Sequence, residues 1–185
     1  MKRWYFALAL TVMASVTTPA LAGESAPAFP KGTFSLQAYG TVAGGIDAEE
    51  IFDSAAFGAS YYVFDNFSLG LEASGYRFTQ SPGSDGWMYG VAGVLRHHLI
   101  QFDRTTLFAD VTFGPAEAND RVPAGGTYFN FTTRTGIGAT YQLQDNLYLI
   151  GGVRYFHLSN ARIEGPERNP SVNGVEGYVG LMWKL

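Results

Sequence analysis

The sequence predicts an all-β protein, an eight-stranded antiparallel transmembrane barrel of the outer-membrane type. Three observations carry that expectation. Apolar and polar residues alternate with period two through six runs, and two weaker runs precede them. Charged residues make up only 15% of the 185-residue chain, against about 25% in an ordinary soluble domain. The chain is also crowded with 14 Phe, 11 Tyr, 3 Trp and 23 Gly, a composition for a sheet that faces something other than water. The absence of Cys removes disulfide scaffolds, thiol nucleophiles and Cys-ligated zinc. A net charge of −4 argues against nucleic-acid binding, which needs a basic face.

The first element is an address. Lys2 and Arg3 precede an apolar run from Trp4 to Val16, and Ala20-Leu21-Ala22 forms an A-x-A cleavage site, so residues 1–22 read as a cleaved signal peptide. The apolar run is shorter than the ~20 residues a spanning helix needs. Cleavage leaves residues 23–185 as a single barrel domain, with 10 basic against 16 acidic residues. Gly23 to Lys31, which holds two prolines, Pro27 and Pro30, reads as an unstructured lead-in.

The strands follow in order. Two weaker runs lie at about 33–43 and 54–64. From Phe67 the apolar positions are Phe67, Leu69, Leu71 and Ala73; from Trp87 they are Trp87, Tyr89, Val91 and Leu95. Leu107, Ala109, Val111 and Phe113 form one face of the fifth run, and Ile137, Ala139 and Tyr141 end one face of the sixth. The seventh carries Leu147, Leu149, Val153 and Tyr155, and the eighth Val175, Val179, Leu181 and Trp183. Glu72, Arg96, Asp110, Arg134, Arg154 and Lys184 all fall on the opposite, Gly/Ser/Thr-rich face. In a membrane barrel the lipid side is apolar and the interior polar, whereas a soluble lipocalin-like barrel reverses this. About one charge per strand among many glycines suits a narrow lumen filled by paired charges, and eight strands close with side chains filling the interior. Short connections at 64–66, 99–104 and 142–146 alternate with longer ones at 46–53, 79–86, 115–126 and 160–172. That alternation places both termini in the periplasm and the long loops outside.

Most polar residues read as scaffold. His97 and His98 fit the periplasmic interface or solvent, and no His/Asp/Glu spacing suggests a metal. No motif implies a cofactor. The exception ends the seventh strand, His157-Leu158-Ser159-Asn160-Ala161. His157 and Ser159 share the parity of the lipid-facing set, so their Cα atoms lie roughly 6.6–7 Å apart on one face, within reach of an imidazole–hydroxyl contact. An ionisable residue at a lipid boundary is a functional candidate. On spacing alone H-x-S is a weak signal, and an interfacial polar girdle is the better explanation of the pair.

The segment His157-x-Ser159-Asn160-Ala161, a loop with Asn169-Pro170, and Gly174-Val175-Glu176-x-Tyr178 resembles the outer-membrane lipid A 3-O-deacylase family. The local motif covers about the last 30 residues, and the barrel architecture matches more broadly. The resemblance implies a serine esterase that removes the ester-linked hydroxyacyl chain at position 3 of lipid A, acting at the outer leaflet of the bacterial outer membrane. It implies Ser159 as nucleophile, His157 as base, Glu176 as the acidic third member and Asn160 as oxyanion donor, by its side chain or through nearby backbone N–H groups. Its partners are lipopolysaccharide and membrane lipids, with a homodimer and a monomer both open. The family often has Gly where Arg162 stands; Arg162 and Arg168 suit contact with lipid A phosphates, or are solvated loop residues. Counting back from Leu185, the outward set contains Val175, not Glu176. A β-bulge near Gly177 would turn Glu176 outward; without one it points into the lumen, and the third member is missing or lies in the loop at Glu164 or Glu167. A non-enzymatic barrel with a structural or adhesive role is the competing function.

Overall fold

Eight strands form: β1 Phe34–Gly45, β2 Ile51–Phe64, β3 Phe67–Thr79, β4 Gly86–Phe102, β5 Thr105–Val122, β6 Thr127–Gln144, β7 Leu147–Ser159 and β8 Val172–Lys184. The computed structural model describes residues 26–46, 51–81 and 83–185; the expected signal segment lies outside these. Each strand pairs antiparallel with its neighbour, and β1 closes on β8 to complete the barrel. Closure removes the sheet edge, so the ladder satisfies the backbone from within, which a chain in hydrocarbon requires.

The barrel is inside out relative to a soluble protein. Leu71, Val91, Ile137, Val153 and Val179 are more than half exposed on the outer wall, while Arg134 and Arg154 are 0% and 1% exposed within. A soluble carrier would have those two arginines in solvent; here they line the lumen. The interior is packed rather than open. One apolar cluster, including Phe52, Phe78, Met88, Phe156 and Leu158, fills the end bearing the long loops. A second, including Phe29, Tyr62, Phe108, Tyr148 and Met182, fills the end bearing the short turns.

Between them lie three arginines and three carboxylates. Arg154 grips Asp110 with two nitrogens, Nε to Oδ1 at 3.0 Å and Nη2 to Oδ2 at 2.7 Å, and its Nη1 reaches Tyr39 Oη at 2.9 Å and Glu176 Oε1 at 3.5 Å. Arg96 shares Asp110 at 2.9 Å and donates to Gln37 Oε1 at 2.7 Å. Arg134 pairs with Glu72 at 2.8 Å, and Tyr39 donates to the other oxygen of Glu72. The sum is neutral, as a dry interior demands, because an unpaired buried charge is costly. The glycines of the luminal face make room for these groups. A Cβ on Gly138 would stand 2.5 Å from Phe108 Cζ and 2.7 Å from the Tyr178 hydroxyl, closer than van der Waals contact permits.

Three local expectations are corrected. The lead-in is ordered from Ala26 to Lys31 and closes the turn end. Phe29 is fully buried, stacks on Tyr62 at 5.0 Å and lies 4.2 Å from the His98 ring. Its N–H donates to Asn66 Oδ1, and its carbonyl accepts from Asn66 N–H. Burying one large aromatic ring offsets the loss of chain freedom that Pro27 and Pro30 had already reduced. His98 is buried too, bonded to Tyr62 Oη at 3.0 Å and Thr106 Oγ1 at 2.6 Å, so it is not a solvated histidine. The expected loop 115–126 is mostly strand: β5 runs to Val122, leaving residues 123–126 as the turn. Side chains hold this tall hairpin together. Asn130 Nδ2 donates to the carbonyls of Val122 and Thr127, Gln80 Nε2 to that of Arg121, and Trp87 N–H to Asn119 Oδ1. Asn119 and Asn130 thus serve as rungs of the hairpin, braced from the end of β3 by Gln80.

Candidate active site

The site sits where β7 ends and β8 begins, on the outer wall near the long-loop end. Period-two geometry decides its membership. In β7 the luminal residues Arg154, Phe156 and Leu158 alternate with Tyr155, His157 and Ser159 outside. His157 and Ser159, expected to meet, do so: Nε2 lies 3.1 Å from Ser159 Oγ, and both side chains are half-buried. On the β6 side, Phe131 stands opposite Ser159 and Thr133 opposite His157. Phe131 stacks on Phe113 with ring centroids 5.5 Å apart, giving the serine an apolar flank.

Glu176, expected as the third member, does not join the pair. β8 pairs with both β7 and β1 in unbroken register, with no bulge near Gly177. Glu176 therefore stays opposite Arg154, points into the lumen, is fully buried and belongs to the charge network. The residue directly across from His157 is Asn173. Its Oδ1 lies 2.9 Å from His157 Nδ1 and accepts from the Tyr155 hydroxyl at 2.6 Å. The three-residue offset between Asn173 and Glu176 is odd, so they face opposite sides of the sheet. Strand parity alone would have found Asn173: the partner of His157 must share the parity of Val175 and Val179. Glu164 and Glu167 lie in the exposed loop; Glu164 pairs with Arg168 at 3.6 Å.

Asn160 is 2% exposed, and its amide is engaged inside the molecule. Nδ2 donates to Thr127 Oγ1 at 3.1 Å and to the Arg168 carbonyl at 2.6 Å, while Oδ1 accepts from Arg162 N–H at 2.9 Å. This corrects the side-chain oxyanion role: both amide protons face inward, and the residue latches the loop 160–171 to the β5–β6 hairpin. Ala161 and Arg162 then turn through left-handed φ values of 53° and 65°. Truncating the latch strands the Arg168 carbonyl, so Asn160→Ala is expected to cost about 1–3 kcal/mol, read as a lower unfolding midpoint in urea. Asn169, from the same motif, accepts Asn160 N–H on its Oδ1 at 3.0 Å. Arg162 and Arg168 are exposed on the loop above the serine, Arg168 with its head group beside Glu164. Among the described residues no cluster of His, Cys, Asp and Glu could hold a metal.

Fold and site together define an outer-membrane β-barrel with a serine–histidine pair on its outer wall. A family model for lipid A 3-O-deacylase (PagL) matches residues 55–182. The chain belongs to that family, whose members are lipid A deacylases. Solved structures similar to it include Neisserial surface protein A, with TM-score 0.62 and 15% identity over 83% of this chain and 96% of that one. The outer membrane enzyme PagL matches with TM-score 0.59 and 19% identity over 80% and 98%. The N-terminal β-barrel domain of Pseudomonas aeruginosa OprF matches with TM-score 0.58 and 12% identity over 84% and 98%. At these identities the structural likeness speaks for the fold. No curated protein matches the chain.

Proposed function

We propose that this chain is a serine esterase that hydrolyses the hydroxyacyl ester at position 3 of lipid A in the outer leaflet. The observation that carries the reading is the 3.1 Å approach of His157 Nε2 to Ser159 Oγ on the lipid-facing wall. A serine hydroxyl is a weak nucleophile until a base takes its proton. His157 Nε2 removes that proton as Oγ attacks the acyl carbonyl carbon. The tetrahedral intermediate then collapses, the bond to the sugar oxygen breaks, and His157 returns the proton to that oxygen. Water, deprotonated by the same imidazole, releases the fatty acid from Ser159.

The oxyanion needs hydrogen-bond donors aimed at it. Asn169, whose Oδ1 accepts the N–H of the residue after the nucleophile, brings a side-chain amide to this end of the strand, and its Nδ2 is a donor of the kind required. Arg162 and Arg168, on the loop above the bilayer wall, suit the phosphates of lipid A, because guanidinium forks match phosphate oxygens. The termini and short turns would then lie in the periplasm, and residues 1–22 would be removed on export. The test is purified full chain in detergent micelles with lipid A: free 3-hydroxy fatty acid should appear along with a lipid A lacking one ester-linked chain. Intact lipid A after prolonged incubation with folded barrel would refute the reading.

A further inference from the structure

His157 is held by a carboxamide. Such a group can orient an imbalanced pair of ring nitrogens in only one of its two rotamers. With Oδ1 toward Nδ1 it accepts the Nδ1–H and leaves Nε2 as a lone pair facing Ser159 Oγ. With the amide flipped, Nδ2 donates to Nδ1 and the ring proton moves to Nε2, so a donor now faces the hydroxyl it should deprotonate. A serine protease whose triad aspartate is replaced by Asn loses about 10⁴ in kcat through this wrong tautomer. A carboxylate has no such failure, because both its terminal atoms accept.

Here a phenol selects the rotamer. Tyr155 pairs across the sheet with Val175, which makes Asn173 its diagonal neighbour, within reach of an aromatic side chain. The Tyr155 hydroxyl lies 2.6 Å from Oδ1, an ordinary O–H···O separation and short for N–H···O. The 2.9 Å contact from His157 Nδ1 converges on the same oxygen. Two donors, one from β7 two residues before the histidine and one from the histidine itself, thus meet a single acceptor. The backbone beneath is fixed as well, with the Asn173 carbonyl accepting Ile46 N–H at 2.7 Å.

Resting on the esterase reading, we propose that Tyr155 is a positioning residue that locks Asn173 with its oxygen toward His157, and that this Tyr–Asn pair replaces the acidic member of a serine triad. Asn173 sets the tautomer, and Tyr155 keeps Asn173 from imposing the wrong one. The imidazolium formed in the reaction is met by dipoles rather than by a charge, in a wall whose neighbours are lipid.

The experiment measures kcat and KM for lipid A deacylation by the full chain in detergent. The variants are Tyr155→Phe, Asn173→Asp, the two combined, and Asn173→Ala, each checked for a folded barrel by its heat-dependent gel mobility. Tyr155→Phe keeps the ring on the outer wall and removes only the hydroxyl. Loss of one ordinary hydrogen bond would cost about fivefold. Loss of the lock should cost about 10- to 10³-fold in kcat with little change in KM, bounded by the ~10⁴ of complete tautomer reversal. In the Asn173→Asp background the same Tyr155→Phe change should cost less than about threefold, since a carboxylate presents an acceptor in either rotamer. Asn173→Ala should fall below Asn173→Asp. An equal cost of Tyr155→Phe in both backgrounds, or an Asn173→Ala chain as active as the starting protein, would overturn the inference alone. A starting protein with no deacylase activity would overturn the esterase reading and the inference with it.

Discussion

Replacing Ser159 by Ala is expected to lower deacylation by about 10⁶, the scale on which removal of a serine nucleophile acts in a protease. The barrel should remain folded. Ser159 Oγ is hydrogen-bonded to His157 Nε2, and its side chain faces outward, away from the luminal packing. The hydroxyl therefore takes no part in the luminal packing. His157→Ala should act nearly as strongly, because base and nucleophile work as a unit and their losses do not add. Turnover measured on folded protein of each variant checks this, and a double variant no slower than either single one is the expected pattern.

The second large effect is on stability. Arg154→Met removes the cation that joins Asp110, Glu176 and Tyr39 in the middle of the lumen. Arg96 still serves Asp110, but the interior is left with one carboxylate too many. Breaking a buried pair from one side costs about 3–5 kcal/mol, much of it the desolvation of the charge left behind. Adding Glu176→Gln to Arg154→Met restores neutrality and should recover part of that loss. Urea unfolding in micelles, followed by gel mobility, would show the single variant well below the double. A double variant as unstable as the single would mean that packing around the guanidinium, not charge balance, sets the cost.

That same network explains how much of the site could be read from the chain. Strand number, the polar lumen and the outward parity of His157 and Ser159 follow from period-two alternation, which a barrel enforces at every residue. The hydrophobic pattern also held the answer for Glu176, whose parity matches Arg154's luminal face; the motif pulled the assignment toward an acid that the sheet geometry turns inward. Asn173 opens the eighth strand beside the motif, but nothing local marks it as the partner of His157; only the β7–β8 register sets the two across from each other. The hairpin at 115–126 and the Phe29 plug stayed hidden for a related reason. Their order comes from contacts between distant segments, Gln80 with Arg121 and Phe29 with Tyr62, His98 and Tyr148, which no local pattern records. Asn160 illustrates the converse: its place beside the nucleophile suggests chemistry, and its partners across the loop make it a latch.

The most direct measurement is the mass spectrum of lipid A from bacteria producing this chain, set beside that from cells producing Ser159→Ala at the same level of folded barrel. Lipid A lighter by one ester-linked 3-hydroxyacyl group with the unaltered chain, and of full mass with the variant, is the result expected. Lipid A of full mass in both, or the same loss in both, would contradict a serine esterase on the outer wall.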